Sequence, residues 1–84
     1  MASAYAGDVR KLVQEVAKTL VDHPDEVQVD AVPEGEVLVL ELTVAETDMG
    51  RVIGKSGRTA RALRVLLSAS AAKANKRCSL EILE

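Results

Sequence analysis

Two glycines three residues apart mark the part of the sequence whose residue types could do chemistry. The segment Gly-Lys-Ser-Gly at 54–57 stands directly before a long helical pattern, and the free N–H groups at the start of a helix favour an anion. Glycine has no Cβ, so a ligand can approach the main chain closely. Lys55 and Arg58 add positive charge at the same point, with Arg51 shortly upstream. These residues favour a loop that binds phosphate groups.

The same glycines have two other interpretations. They could form only a corner between two helices, and the four-residue pattern by itself leaves that alternative open. A nucleotide-binding P-loop needs Gly, four residues, and then Gly-Lys-Ser or Gly-Lys-Thr. Here Gly50 precedes Gly54 with only three residues between them, and the segment follows a short helical pattern rather than a strand. The sequence therefore excludes a P-loop.

Side chains that commonly catalyse reactions or bind metals are scarce. The chain has one His and one Cys, too few for a Cys/His zinc site and badly placed for a Ser-His-Asp arrangement. We interpret His23 as a residue that ends a helix before proline, and Cys78 as a small packed residue at the start of a strand. The sequence thus predicts no metal, no cofactor, no small-molecule substrate and no enzymatic activity.

The net charge of −2 conceals an uneven distribution. Residues 1–48 contain eleven acidic and three basic residues, whereas residues 49–80 contain eight basic residues and no acidic one. A positive face on a small domain favours a polyanionic partner, although a basic helix balancing an acidic helix would have the same composition. Because the domain is not basic as a whole, any anion site must be local.

Length and composition predict one small globular domain. The chain has 84 residues, of which 48% are hydrophobic and 29% are charged, and this balance is typical of a folded chain. One cysteine permits no internal disulfide, which fits a reducing compartment. No apolar run approaches the roughly 20 residues that cross a bilayer, and residues 1–8 show no secretory signal. We therefore expect a soluble, cytoplasmic protein with no membrane partner.

Hydrophobic periodicity predicts the elements that must position the loop. Apolar residues recur at helical spacing from Asp8 to Asp22, with Gly7 and Asp8 as the predicted cap and residues 1–7 as an N-terminal tail. Alternating β-branched residues predict two strands joined by a proline-glycine turn. The predicted order is helix 8–22, strand 27–32, strand 37–45, short helix 49–53 capped by Thr47 or Asp48, helix 58–75 and strand 78–83.

The long helix 58–75 should bury one stripe and present basic residues elsewhere. The expected buried residues are Ala60, Leu63, Leu66, Leu67, Ala71 and Ala74. Arg58, Arg61 and Arg64 then occupy the opposite and flanking arcs. Val65 lies near the arginines, where it could contact a ligand or a second copy, although ordinary packing is the favoured explanation.

The segment from Val52 to Ala60, Val-Ile-Gly-Lys-Ser-Gly-Arg-Thr-Ala, resembles the Ile-Gly-x-x-Gly signature of KH RNA-binding domains. The order of elements resembles the type II KH fold, and over about residues 8–83 the chain is similar to small stand-alone bacterial KH proteins. The resemblance implies an α+β domain at 8–84 with the order α-β-β-α-α-β. It implies a three-stranded mixed sheet with three helices packed on one face, and single-stranded RNA bound in a groove beside the loop.

The resemblance also implies roles for individual residues. The loop at 54–57 would clamp the backbone of about four nucleotides, and Val52 and Ile53 would form one wall of the groove. From the geometry of the predicted elements rather than from the resemblance, Arg61 and Arg64 would extend the backbone contacts, and Val39, Glu41 and Thr43 would form the opposite wall. The expected RNA-binding residues are Arg51, Val52, Ile53, Gly54, Lys55, Ser56, Gly57, Arg58, Arg61 and Arg64.

Two functions from different classes remain open. The favoured one is a non-catalytic, single-stranded RNA-binding protein, an RNA chaperone or post-transcriptional regulator. It would act as a homodimer or as a heterodimer with the larger KH-containing bacterial partner that the resemblance implies. RRM and OB surfaces use aromatic stacking platforms, whereas this chain is 1% aromatic and fits a KH groove. The alternative is a protein-interaction module in which RNA has little part.

Overall fold

The computed structural model of the chain describes residues 4–83, which contain three α-helices and three strands. The elements are α1 (Ala4–Leu20), β1 (Gln28–Glu34), β2 (Val37–Thr43), α2 (Met49–Ile53), α3 (Arg58–Lys73) and β3 (Arg77–Ile82). Short 3₁₀ turns occupy Pro24–Glu26, Glu46–Asp48 and Lys55–Gly57. The predicted order α-β-β-α-α-β is confirmed. No helix within the described residues is both long and apolar enough to span a membrane.

Strand β2 lies at the centre of a mixed sheet with the order β1-β2-β3. β1 runs antiparallel to β2 and places Ala31 opposite Leu40, while β3 runs parallel and places Leu80 opposite the same leucine. The hairpin between β1 and β2 turns at Gly35, whose φ of 63° is in the left-handed region. Helices α2 and α3 form the long crossover that two parallel strands require. The predicted three-stranded mixed sheet is confirmed.

The hydrophobic core lies between the helices and one face of the sheet. Leu40 and Leu42 share that face because side chains alternate along a strand, and both are 0% exposed. Helix α1 packs mainly on β1 and α3 on β3, while α2 contacts both helices. The central core residues are Val9, Val13, Ala17, Val27, Val29, Leu40, Leu42, Val44, Val52, Leu63, Leu67 and Leu80. The helices thus cover one sheet face, as predicted.

The start of α1 differs from the sequence-based expectation. The helix begins at Ala4 rather than Asp8, so residues 4–7 belong to α1 and not to a tail; residues 1–3 lie outside the described chain. Tyr5 packs against the core, one helical turn before Val9. It therefore extends the apolar stripe of α1 toward the N-terminus, and this contact explains why the predicted cap at Gly7 and Asp8 is wrong.

Helix α3 buries a narrower stripe than its sequence suggested. The buried residues are Ala60, Leu63, Leu67 and Ala71. Leu66, expected in that stripe, is 43% exposed because it lies about 100° around the helix from Leu67. Ala74 follows the last residue of α3 and is exposed. The outer face of this helix therefore has apolar side chains that the core does not cover.

We expect two substitutions on α3 to separate its buried and exposed faces. Leu67→Ala removes a side chain that is 1% exposed and should lower the free energy of unfolding by about 2–5 kcal/mol, because a cavity replaces packed atoms. Ser68→Ala changes a side chain that is exposed on α3 and should change that free energy by less than about 0.5 kcal/mol. Urea unfolding followed by circular dichroism measures both. Equal losses would contradict this assignment of faces.

Candidate nucleic-acid interface

The loop between α2 and α3 is a tight reversal built from left-handed backbone. Gly54 has φ 78° and ψ 169°, Ser56 has φ 58° and Gly57 has φ 74°. The Gly54 amide donates to the Gly50 carbonyl at 2.8 Å and closes α2, and the Gly57 amide donates to the Gly54 carbonyl at 3.1 Å. The backbone at Gly54 lies in a region that is essentially restricted to glycine. The spacing of the two glycines is therefore dictated by the path of the chain.

Gly54 is also constrained by its neighbour Thr59 in the first turn of α3. A Cβ at position 54 would lie 2.7 Å from Thr59 Cβ and 2.8 Å from the Thr59 amide nitrogen, with Thr59 Oγ1 closer still. Real Cβ atoms do not approach backbone that closely, so the end of α2 fits against α3 only with glycine. Gly57 has no atom within 4 Å of such a Cβ, and only its φ favours glycine there.

A groove runs beside the loop, between α2 and the ends of β2 and β3. It encloses a volume of about 780 Å³. Its lining residues are Val44, Glu46, Met49, Ile53 and Ile82. Ile53, the last residue of α2, is 39% exposed and joins the groove directly to Gly54. A mostly aliphatic groove therefore adjoins the N-terminus of a 16-residue helix, where apolar and anionic parts of one ligand could bind together.

The groove walls differ from two sequence-based expectations. Val52 is 0% exposed and belongs to the core, so the α2 wall consists of Ile53 and Met49. Val39, Glu41 and Thr43 do not line the groove. They alternate with Leu40 and Leu42 and lie on the sheet face away from the helices, so their expected role as the opposite wall is wrong. That wall comes from Val44 and Ile82.

The basic residues expected at the site are in different situations. Arg51 is paired through Nη2 with Oδ2 of Asp22 at 3.1 Å, with both side chains more than half exposed. Lys55, Arg58, Arg61 and Arg64 are exposed. Arg58 and Arg61 border a shallow apolar surface on α3, which Arg64 does not line. Lys55 thus lies in the loop and Arg58 directly follows it as the first residue of α3, whereas Arg51 already has a carboxylate partner.

Asp48 has a structural role that its sequence position did not predict. It was expected to cap α2, but its side chain makes no capping hydrogen bond there. The carboxylate is 1% exposed and accepts hydrogen bonds from the Asp22 amide at 3.1 Å and the His23 amide at 3.0 Å. His23 Nδ1 lies 3.1 Å from Asp48 Oδ2. His23 is therefore a partner of Asp48 and not only a helix-end residue.

These contacts change the acidity of both groups. Burial alone would raise the pKa of the Asp48 carboxyl, but the hydrogen bonds from Asp22 and His23 outweigh it and hold the pKa below the ordinary 3.8. The hydrogen bond to Asp48 raises the pKa of His23 above 6.5. Each group thus favours the charged form of the other. Within residues 4–83, no three His, Cys, Asp or Glu side chains are grouped as a candidate metal site.

Comparison with known proteins finds a matching family model and several similar bacterial proteins. Residues 10–82 match the family model of the KhpA/KhpB KH domain. The chain is 51% identical over 75 residues to a protein of Clostridium acetobutylicum named RNA-binding protein KhpA, covering 89% of this chain and 100% of that relative. It is 47% identical over 76 residues to the KhpA of Halalkalibacterium halodurans, covering 90% and 100%, and 50% identical over 74 residues to that of Treponema pallidum, covering 88% and 92%.

We expect alanine at Gly54, which follows α2, and alanine at Gly50, which lies inside α2, to have opposite effects on stability. Gly54→Ala forces a Cβ onto Thr59 in a backbone conformation restricted to glycine, and should lower the free energy of unfolding by about 2–4 kcal/mol. Gly50→Ala, the matched control, lies in α2 with no atom within 4 Å of its new Cβ, and should stabilise by up to about 1 kcal/mol. Thermal and urea unfolding measure both; a tolerated Gly54→Ala would contradict the close contact with Thr59.

Proposed function

The chain belongs to the KhpA/KhpB family of KH domains, and on that premise we propose that it binds single-stranded RNA, with the backbone held at the loop 54–57. Membership of this non-catalytic family shows that the chain is not an enzyme. The observation that carries the proposal is the tight loop at the N-terminus of α3, placed directly beside the aliphatic groove. Relatives from several bacteria bear the name RNA-binding protein, which supports the same ligand.

The phosphates would bind at the loop. The amides of Gly57 and Arg58 close the turn by donating to the carbonyls of Gly54 and Lys55. The Lys55 and Ser56 amides lie inside that turn, next to the positive end of α3, where an anion is favoured. The ammonium of Lys55 and the guanidinium of Arg58 add charge at the same place. Main-chain donors recognise a phosphate whatever the base, so the loop would set affinity and orientation.

The bases would lie in the groove. Its walls are aliphatic side chains and Met49, which can pack against the face of any base. Glu46 is the acidic residue among the lining residues, and its carboxylate repels phosphate, so it would face the base side of the strand. Tyr5 lies in α1 and lines a different cavity, so this mode of binding needs no aromatic stacking.

We place such a protein in the bacterial cytoplasm, as an RNA chaperone or post-transcriptional regulator.

One surface supports a second function, the binding of another protein. Arg58 and Arg61 border an apolar patch on the outer face of α3, formed by Ala62, Val65, Leu66 and Ala69. Val65 is 65% exposed and Leu66 is 43% exposed, unusual for a helix whose other face packs in the core. We propose that a second copy of the chain, or the KH domain of a larger bacterial partner, covers this patch. Two linked loops would bind one RNA more tightly than a single loop.

The first test replaces the loop side chains without disturbing the glycines. Lys55→Asp with Ser56→Asp places negative charge where phosphate would bind, and aspartate tolerates the left-handed conformation of Ser56. We expect RNA affinity to fall at least about tenfold, because charge-assisted contacts become repulsive. Fluorescence anisotropy with a short single-stranded RNA of mixed sequence measures the affinity, and circular dichroism checks the fold.

A matched variant with the same charge change controls for net charge. Lys76→Asp with Ser79→Asp substitutes the same residue types at exposed positions beyond the far end of α3. We expect it to bind RNA within about threefold of wild type, because only general electrostatic repulsion changes. Equal losses in both variants would overturn the loop as the phosphate site. Absence of RNA binding by the wild type would overturn the proposed function itself.

The apolar patch has its own test. We expect the wild type to be a dimer at micromolar concentration and Val65→Glu to be a monomer, because a carboxylate in the interface would be desolvated. The control Ser68→Glu is exposed on α3 but lies outside the patch, and should leave the dimer intact. Sedimentation equilibrium measures the mass of each. A wild-type monomer, or a Val65→Glu dimer, would contradict self-association through this patch.

A further inference from the structure

Four polar contacts tie the chain after α1 to the helix that leads into the loop. The buried Asp48 carboxylate accepts the Asp22 and His23 amides, at 3.1 and 3.0 Å, and lies 3.1 Å from His23 Nδ1. The Arg51–Asp22 ion pair, also 3.1 Å, joins the same two segments at the surface. The residues that bond to Asp48 lie 25 and 26 positions before it in the sequence. The beginning of α2 is therefore held by long-range polar bonds.

Helix α2 depends on such bonds for its position. It has five residues, far fewer than the roughly 12 that an isolated helix needs for even marginal stability. Val52 is its one fully buried side chain and Met49 packs against the core while partly buried, so few apolar contacts fix the orientation of α2. At its other end the Gly54 amide bonds to Gly50, and the Gly54 backbone abuts Thr59. A change in the position of Asp48 would therefore move α2 and, with it, the loop that follows.

We infer that Asp48 is a positioning residue for the RNA-binding loop, and that protonation of its partner His23 strengthens this positioning. The expected effect on RNA affinity rests on the proposed function. The structural link from Asp48 to the loop does not. The doubly protonated imidazolium always presents an Nδ1–H to Asp48, whereas neutral histidine does so in only one tautomer. Acidification toward pH 5.5 therefore tightens the contact that holds α2.

The surrounding charges set the direction of the pH effect. The hydrogen bond to Asp48 raises the pKa of His23 despite partial desolvation, and the negative charges of Asp48, Glu26 and Asp22 act in the same sense. Arg51 opposes them from α2, but its charge is paired with Asp22. The contribution of His23 is fully present below pH 6.5 and is lost as the pH rises through the higher folded-state pKa. Asp48 stays ionised there, because its pKa is lowered.

The test measures RNA affinity between pH 5.5 and 8 in three proteins. The chain has one histidine, so the part of a transition in this range that His23→Gln removes reports on His23. We expect wild-type affinity to weaken by about fivefold as the pH rises, at the low end of typical coupling between two sites. His23→Gln keeps a neutral donor and should show a flat profile. Asp48→Asn should bind more weakly than wild type at pH 5.5, also with a flat profile.

Each outcome decides the inference. A flat wild-type profile, or a profile unchanged in His23→Gln, overturns the role of His23. A pH dependence that survives in Asp48→Asn shows that the imidazolium attracts RNA directly, which overturns positioning. A second measurement, on the wild type alone, needs neither RNA nor a folded Asp48→Asn variant. The NMR chemical shifts of the Ser56 and Gly57 amides should follow the titration of His23. The amide shift of Gly35, the control, should not. Loop amides that ignore the titration overturn the link, even if RNA binding itself fails.

Discussion

The structure depends on one backbone constraint, the reversal of the chain between α2 and α3. Gly54 and Gly57 both have positive φ, and the close approach of Gly54 to Thr59 leaves no space for a side chain. This contact fixes the end of a five-residue helix against a 16-residue helix. It thereby places the groove residue Ile53 and the amino end of α3 on either side of one turn. Within a nucleotide the phosphate and the base are also close together, so one nucleotide can contact both surfaces.

The remaining fold supports that turn with a modest core. Leu40 and Leu42 lie at its centre on β2, the strand that pairs with both neighbours. Helix α3 reaches the core through Leu63 and Leu67, while its opposite face stays uncovered at Val65. The same helix therefore has three uses: its amino end completes the loop, one side closes the core, and the other side is free to meet a partner. In a small domain each element has to serve more than one purpose.

The sequence predicted the three α-helices and three strands of the described chain, the longer elements from their hydrophobic period and α2 from a candidate capping residue. It also located the loop, since glycine spacing and local charge are visible without coordinates. It failed where the outcome depended on contacts between distant segments. Leu66 lies at the margin of the helical stripe, where periodicity does not decide burial, and Tyr5 precedes the helix start that local capping rules suggested. Asp48 is buried by bonds to residues 25 and 26 positions earlier, and no local pattern announces such a pairing.

The distribution of charge explains how a chain of net charge −2 can present a site for a polyanion. Asp30, Glu41 and Glu81 are aligned in register across the three strands, on the sheet face that the helices leave open. This row repels a nucleic acid, while Lys55 and Arg58 attract it at the loop on the helical side. Because the charges on the two surfaces have opposite signs, a nucleic acid is directed to the loop, which a uniform positive charge would not achieve. Local arrangement, rather than net charge, therefore decides where a polyanion can bind.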